Sequence, residues 1–321
     1  MSPDDKTAVR TVTVDDFVRA ETDMTMKRYV AMGAFGKFVQ VREPASVEKQ
    51  DVIRMNRDTL YSLGVFDLTS PLAITKPDPG GRYQSMMLVT EDHYAPLVEY
   101  GAGVFTVTQE LTGTRYVFII FRTFMDPADP DDIKAANALQ DGISTQQADA
   151  GAFDIPDWDE GSLKAVRDAI NALASTKDDT SRMFGAKGEV DPIDHLLGTA
   201  YGWGGLPKAA AMYINGVPEH NDGTTPYVLT VKDAPVDGFW SVTIYNVKGF
   251  MEPNDLGAYS FNNVTGAKNA DGSTTVHFGG DPQSTNYLPI TDGWNYIARL
   301  YQPRQELLDG TWTFPEAEPV G

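Results

Sequence analysis

The segment Arg54-Met55-Asn56-Arg57-Asp58-Thr59-Leu60-Tyr61 gathers two guanidiniums, a carboxylate, an amide and a phenol just ahead of an apolar run. Buried together, such groups must satisfy one another or a ligand, because an unpaired polar group removed from water is costly. Their types suit proton transfer beside a bound anion. Asp58 is a candidate general base on water and Tyr61 a hydrogen-bond donor, while Arg54, Asn56 and Arg57 are candidates for holding substrate oxygens.

Arg115, Arg122 and Arg299 also lie in or beside apolar stretches. An arginine in such a place is rarely buried unpaired. One reading is an internal ion-pair lattice with Asp58 and Asp67 as partners, the commoner arrangement. The other is a pocket in which Arg57 and Arg122 grip an anionic group. The two can coexist.

Histidine is scarce: His93, His195, His220 and His277. His93 follows Glu91-Asp92 at the end of an expected strand, on a loop with Tyr94, and is the second candidate base. Asp191-Pro192-Ile193-Asp194-His195 has the look of a metal motif, but helix capping already explains both acids, and no metal ligands are assigned. His277 with Asp281 can form a general-base pair or, the preferred reading, a cross-strand hydrogen bond. Trp203, in Tyr201-Gly202-Trp203-Gly204-Gly205, is a candidate to close a binding pocket. Trp240, Tyr245, Tyr259, Trp294, Tyr296 and Tyr301 are expected to be core or the interface between sandwiches.

Several function classes are disfavoured. The chain has no Gly-x-Ser-x-Gly elbow, P-loop, Gly-x-Gly-x-x-Gly or His-Glu-x-x-His, which argues against an α/β-hydrolase, a nucleotide enzyme and a dinucleotide dehydrogenase. It has no cysteine, hence no disulfide, thiolate nucleophile or cysteine-bound zinc. A net charge of −19 disfavours nucleic acid and anionic lipid as partners. No apolar stretch approaches the roughly 18 residues of a membrane span. Met1 to Lys6 lacks the basic and apolar regions of an export signal, so the expectation is a soluble cytoplasmic protein, or a periplasmic one if a signal has been trimmed.

The elements that must position these groups are mainly strands. Thr13 to Asp16 reads as a capping box opening a helix that runs to about Phe38. Strands are expected at Thr59 to Leu68, Tyr83 to Thr90 and Val104 to Gln109, and Tyr116 to Phe121 has no polar face and reads as covered on both sides. Helices are expected between about 131 and 200, with a third one starting at Asp191-Pro192. Strands return at Tyr227 to Lys232, Phe239 to Val247, Ser273 to Phe278 and Trp294 to Tyr301, punctuated by Asp237-Gly238, Asp271-Gly272 and Asp292-Gly293. The expected fold is mainly β with a helical segment: two β-sandwich or jelly-roll-like domains joined by helices, with boundaries at 1–127, 128–204 and 205–321.

Asn56-Arg57-Asp58-Thr59-Leu60-Tyr61-Ser62, followed by Arg82-Tyr83, resembles the amino-terminal half of a bacterial pairing, domain of unknown function 1254. Val236-Asp237-Gly238-Phe239-Trp240-Ser241-Val242, Ala258 to Asn263, Gly293 to Tyr296 and Arg299 to Arg304 resemble its partner, domain of unknown function 1214. The resemblance implies a fold and carries no catalytic residues with it. From the residues themselves, the leading expectation is a small-molecule enzyme, a hydrolase without a nucleotide cofactor, acting on an anionic or polar substrate held by arginines. The alternatives are a non-catalytic carbohydrate or small-ligand binding protein, and an assembly protein forming a homodimer through aromatic surfaces. The sequence names no cofactor.

Overall fold

The computed structural model describes residues 8–50, 53–177 and 179–320. In chain order the elements are α1 (Phe17–Ala31), β1 (Val39–Gln40), β2 (Thr59–Asp67), β3 (Leu72–Lys76), β4 (Gln84–Thr90), β5 (Leu97–Glu99), β6 (Gly103–Val107), α2 (Gln109–Thr112), β7 (Tyr116–Phe124), α3 (Pro130–Asp141), β8 (Ser144–Gln147), α4 (Glu160–Ala174) and α5 (Pro192–Tyr201). There follow β9 (Ala211–Gly216), β10 (Tyr227–Val231), β11 (Trp240–Tyr245), β12 (Ser260–Asn262), β13 (Thr274–Phe278), β14 (Tyr287–Leu288), β15 (Asn295–Tyr301), α6 (Gln305–Leu308) and β16 (Glu318–Pro319). The fold is mainly β, as expected. Among the described residues no helix is long and apolar enough to cross a membrane.

The chain separates into two units. The first comprises Met1–Val41, Tyr61–Thr123 and Ala136–Lys208; the second comprises Arg42–Leu60, Phe124–Ala135 and Ala209–Gly321.

In the first unit a five-stranded sheet, β1-β2-β7-β4-β5, and a three-stranded sheet, β6-β3-β8, enclose a core of Phe66, Leu72, Ile74, Met86, Leu88, Val117, Ile119 and Phe121. The unbroken apolar run of β7 follows from its central place, because both of its faces are covered. Val117, Ile119 and Phe121 face the sandwich core, while Phe118 meets Tyr29 of α1 at 4.9 Å between ring centroids. Helices α1, α4 and α5 share a second core that includes Phe17, Ala20, Trp158, Leu163, Ile170 and Leu197.

Three local expectations are corrected here. Helix α1 ends at Ala31 rather than near Phe38, because Gly33 and Gly36 adopt φ of 92° and 66° and turn the chain towards β1. The capping box does not form: Asp16 is the N-cap without a side-chain cap bond, its carboxylate being held by Arg10 at 2.6 Å and Thr13 at 3.0 Å. The region expected to be a helical connecting segment also contains β8, a polar strand that pairs Ser144–Gln147 with Thr75–Leu72 of β3.

The second unit is a sandwich of β12-β11-β15-β9 against β14-β13-β10-β16. Its core includes Trp240, Val242, Leu229, Val276, Phe278, Tyr296, Ala298 and Leu300. Gly216 of β9 is paired with Tyr296 of β15, and a Cβ at position 216 would stand 2.0 Å from that ring. Glycine is therefore what lets the aromatic ring lie across the neighbouring strand. Two of the three Asp-Gly signals place their glycine at positive φ, Gly272 at 83° and Gly293 at 72°.

Candidate functional site

The predicted site residues fall into two clusters. Arg54, Asn56, Arg57 and Asp58 belong to the second unit, and Tyr61, His93, Arg122 and Trp203 to the first.

In the second unit, β11 and β15 run antiparallel, with Ser241 opposite Arg299, Thr243 opposite Ile297 and Tyr245 opposite Asn295. Because side chains alternate along a strand, Trp240, Val242 and Ile244 enter the core while Ser241, Thr243 and Tyr245 take the other face. That face is buried too: Ser241, Thr243, Tyr245, Asn295, Arg299 and Tyr301 are all covered. The polar segment 54–58 is tied onto it.

Asp58 is 2% exposed. Its Oδ2 accepts from Ser241 Oγ at 2.5 Å and from Tyr301 Oη at 3.3 Å. Asn56 Nδ2 donates to Tyr301 Oη at 2.7 Å, and Asn56 Oδ1 accepts from the Asp58 N–H at 2.7 Å. Burial pushes the Asp58 carboxyl above its usual range, and Arg299, Ser241 and Tyr301 only partly pull it back. Arg299 donates to Thr243 Oγ1 at 2.9 Å, Tyr245 Oη at 2.8 Å and the Arg54 carbonyl at 3.0 Å. Burial alone would weaken its hold on the proton, but Tyr245, Tyr301 and Asp58 outweigh that and keep it charged.

Arg54 adopts φ of 57°, its N–H donates to the Gly249 carbonyl at 2.8 Å, and its guanidinium donates to Asn295 Oδ1 at 2.8 Å while lying 5.6 Å from the Tyr245 ring centroid. Arg57 is held differently. Nη1 donates to the Ala45 carbonyl, the guanidinium lies 5.3 Å from the Tyr259 ring, and Nε is buried without a partner. Burial lowers its pKa, and only the Tyr259 phenol opposes the shift. Among the described residues no carboxylate pairs with Arg57.

In the first unit the loop 202–205 collects the other four residues. Arg122 Nη2 donates to the Gly204 carbonyl at 2.7 Å, and its guanidinium lies 5.7 Å from the Tyr61 ring. The Gly204 N–H donates to His93 Nε2 at 2.9 Å. Nε2 is therefore the acceptor, and Nδ1 carries the proton that it donates to Thr199 Oγ1 at 2.8 Å. Thr199 Oγ1 in turn donates to the His195 carbonyl at 2.8 Å. His93 is 3% exposed at φ of 60°, and burial, helped by His195, lowers its pKa to about 3. Both nitrogens of a neutral ring are thus used inside the protein, so in this arrangement His93 has no lone pair for a water proton.

The rings form a column. Tyr94 stacks on His195 at 4.4 Å, His195 on His93 at 5.7 Å and His93 on Trp203 at 5.4 Å. Trp203 Nε1 donates to Thr22 Oγ1 at 3.1 Å. Beside Thr22 in sequence, Asp23 is 1% exposed, its Oδ2 accepting from Trp158 Nε1 at 2.8 Å while Oδ1 has no partner. Burial pushes the Asp23 carboxyl up to about 7, against the Trp158 hydrogen bond.

The ion-pair reading holds for Arg115, whose Nη2 lies 2.7 Å from the fully buried Asp67 carboxylate. Asp191 caps α5 by accepting from Ile193 and Asp194, and Asp194 pairs with Lys177 at 2.9 Å. His277 Nδ1 bonds the Thr285 carbonyl at 2.7 Å, the hydrogen-bond reading rather than a pair with Asp281. Among the described residues no three His, Asp or Glu side chains are placed to hold a metal ion. Sequence reasoning missed Ser241 and Thr243, whose alternation with Trp240, Val242 and Ile244 reads as an ordinary solvent-facing edge. It also missed Asp23, which reads as an exposed helix residue.

Comparison with known proteins bears on the fold. The model of a protein of unknown function, DUF1254, matches residues 35–95, and that of a second protein of unknown function, DUF1214, matches residues 211–305. No curated protein matches the chain. The VPA0106 protein from Vibrio parahaemolyticus has a similar crystal structure, with TM-score 0.71 at 19% identity, covering 96% of this chain and 98% of that one. An uncharacterised protein from Burkholderia cenocepacia is also similar, with TM-score 0.52 at 16% identity, covering 95% of this chain and 88% of that one. These likenesses concern the fold alone. The chain thus pairs a DUF1254 segment with a DUF1214 segment, in that order, on a fold shared with both solved structures.

Proposed function

We propose that the second unit binds a small anionic molecule at Arg57. The observation that carries this reading is a half-buried guanidinium with a buried, unpaired Nε and, among the described residues, no carboxylate paired with it. A cation taken from water without a counter-charge is expensive. A carboxylate or phosphate oxygen that accepts from the part of the guanidinium still open to water supplies the missing charge and a charge-assisted hydrogen bond. The net charge of −19 opposes long-range attraction of any anion, so affinity must come from contacts at the site rather than from steering.

The test is calorimetric titration of acetate, succinate and inorganic phosphate into the wild-type protein and Arg57→Gln. Hydrogen bonds to a charged group contribute about 1.5–3 kcal/mol, so the variant should bind roughly 10- to 100-fold more weakly. Absence of binding by every anion, or equal binding to both proteins, overturns the proposal.

A hydrolytic activity is the second reading, favoured by Asp58. A buried carboxyl with an elevated pKa, bonded at 2.5 Å to a hydroxyl, is suited to proton transfer. On this reading Asp58→Asn abolishes the turnover seen by mass spectrometry with a panel of esters, amides and glycosides, and leaves anion binding intact. Turnover unchanged by the substitution removes Asp58 from the chemistry.

A further inference from the structure

Building on the anion site at Arg57, we infer that its ligand is a monocarboxylate with an apolar alkyl or aryl tail. The first argument is charge. Among the described residues Arg57 is one cation without a carboxylate partner, which calls for one negative charge. Elsewhere in this unit, Arg54 donates to Asn295 and faces the Tyr245 ring, and Arg299 donates to Thr243, Tyr245 and the Arg54 carbonyl. A phosphate dianion or a dicarboxylate would bring a second charge beyond the one that Arg57 offsets.

The second argument is the apolar cluster to which the ring beside the guanidinium belongs. Tyr259 lies against the guanidinium, and Val47 and Met55 join Tyr259 as partly exposed apolar residues packed on Tyr245, Met251 and Ile297. This cluster is fastened in place. Gln50 Nε2 donates to the carbonyls of Val47 at 2.8 Å and Met251 at 2.9 Å, and Gln50 Oε1 accepts from the Met251 N–H at 2.9 Å. Apolar surface that stays partly in water beside an unneutralised cation matches a ligand with a charged head and an apolar body. Met55 adds a side chain that adapts to tails of different shape.

The experiment compares acetate, butyrate, hexanoate, benzoate, inorganic phosphate and uncharged hexanol by calorimetry. The proteins are wild type, Arg57→Gln and Met55→Gln, each checked for a native circular dichroism spectrum. At about 0.8 kcal/mol per buried CH₂, affinity should rise up to about fourfold per methylene from acetate to hexanoate. Hexanol and phosphate should bind poorly, Arg57→Gln should weaken every carboxylate, and Met55→Gln should flatten the chain-length dependence while sparing acetate. If acetate, hexanoate and phosphate bind alike and all depend on Arg57, the tail inference fails and the anion site stands. If no carboxylate binds, the assignment of Arg57 falls with it.

Discussion

Asp23 and His93 titrate in opposite senses, and replacing either one should uncover the other. Asp23 protonates at about 7 instead of 3.8, and His93 at about 3 instead of 6.5, in both cases because burial penalises the charged form. For Asp23 the folded-state value is raised, so its contribution to stability is complete below its unfolded pKa and is lost as pH rises through 7. For His93 the folded-state value is depressed, so its contribution is complete above 6.5 and is lost as pH falls. Each linked proton changes stability by about 1.36 kcal/mol per pH unit. Between about pH 4 and 6.5 the two slopes therefore cancel in the wild type. Asp23→Asn keeps an acceptor for Trp158 but cannot ionise, which leaves the His93 slope alone. Between pH 5 and 7 its stability relative to wild type should rise by roughly 2 kcal/mol. His93→Asn, a residue that tolerates left-handed backbone, should show the reverse, losing stability as pH rises from 4 towards 7. Urea midpoints followed by tryptophan fluorescence from pH 4 to 8 measure this, since Trp158 bonds Asp23 and Trp203 stacks on His93. Other titrating groups are common to all three proteins and cancel in the differences. A wild-type to Asp23→Asn difference that stays constant across this range would show that Asp23 is ionised in the folded protein, and would refute the reasoning.

Two further outcomes follow from packing and charge. Arg57→Met should raise the urea midpoint while abolishing anion binding, because it removes a cation whose desolvation no carboxylate among the described residues offsets; a lowered midpoint would show that the Ala45 bond and the Tyr259 contact outweigh that cost. Gly216→Ala should destabilise the second unit by about 1–3 kcal/mol, the usual cost of overpacking, since its Cβ would meet the Tyr296 ring at 2.0 Å. An unchanged midpoint would mean that the ring moves aside freely.

Periodicity and turn chemistry made much of the fold legible. The apolar run at Tyr116 to Phe121 announced a strand covered on both faces, Asp191-Pro192 announced the start of α5, and Asp271-Gly272 and Asp292-Gly293 announced turns. These are local signals, set by φ preferences and by the spacing of side chains along one strand or helix. The order of Asn56-Arg57-Asp58 and Gly238-Phe239-Trp240 likewise carried the resemblance that the family models match.

What the residues alone did not contain is which partners they meet. Ser241 and Asp58 are separated by 183 positions, and only the folding of residues 42–60 onto the outer face of β11 and β15 makes them neighbours at 2.5 Å. His93 looked like a loop base because its residue type permits that chemistry. The Gly204 N–H and the Thr199 hydroxyl, brought from more than a hundred residues away, occupy both its nitrogens. Composition settles how many charges a chain carries. Whether a given charge is neutralised, hydrogen-bonded or left as Arg57 is left depends on long-range contacts, because electrostatic and desolvation energies are set by distance and burial rather than by order along the chain.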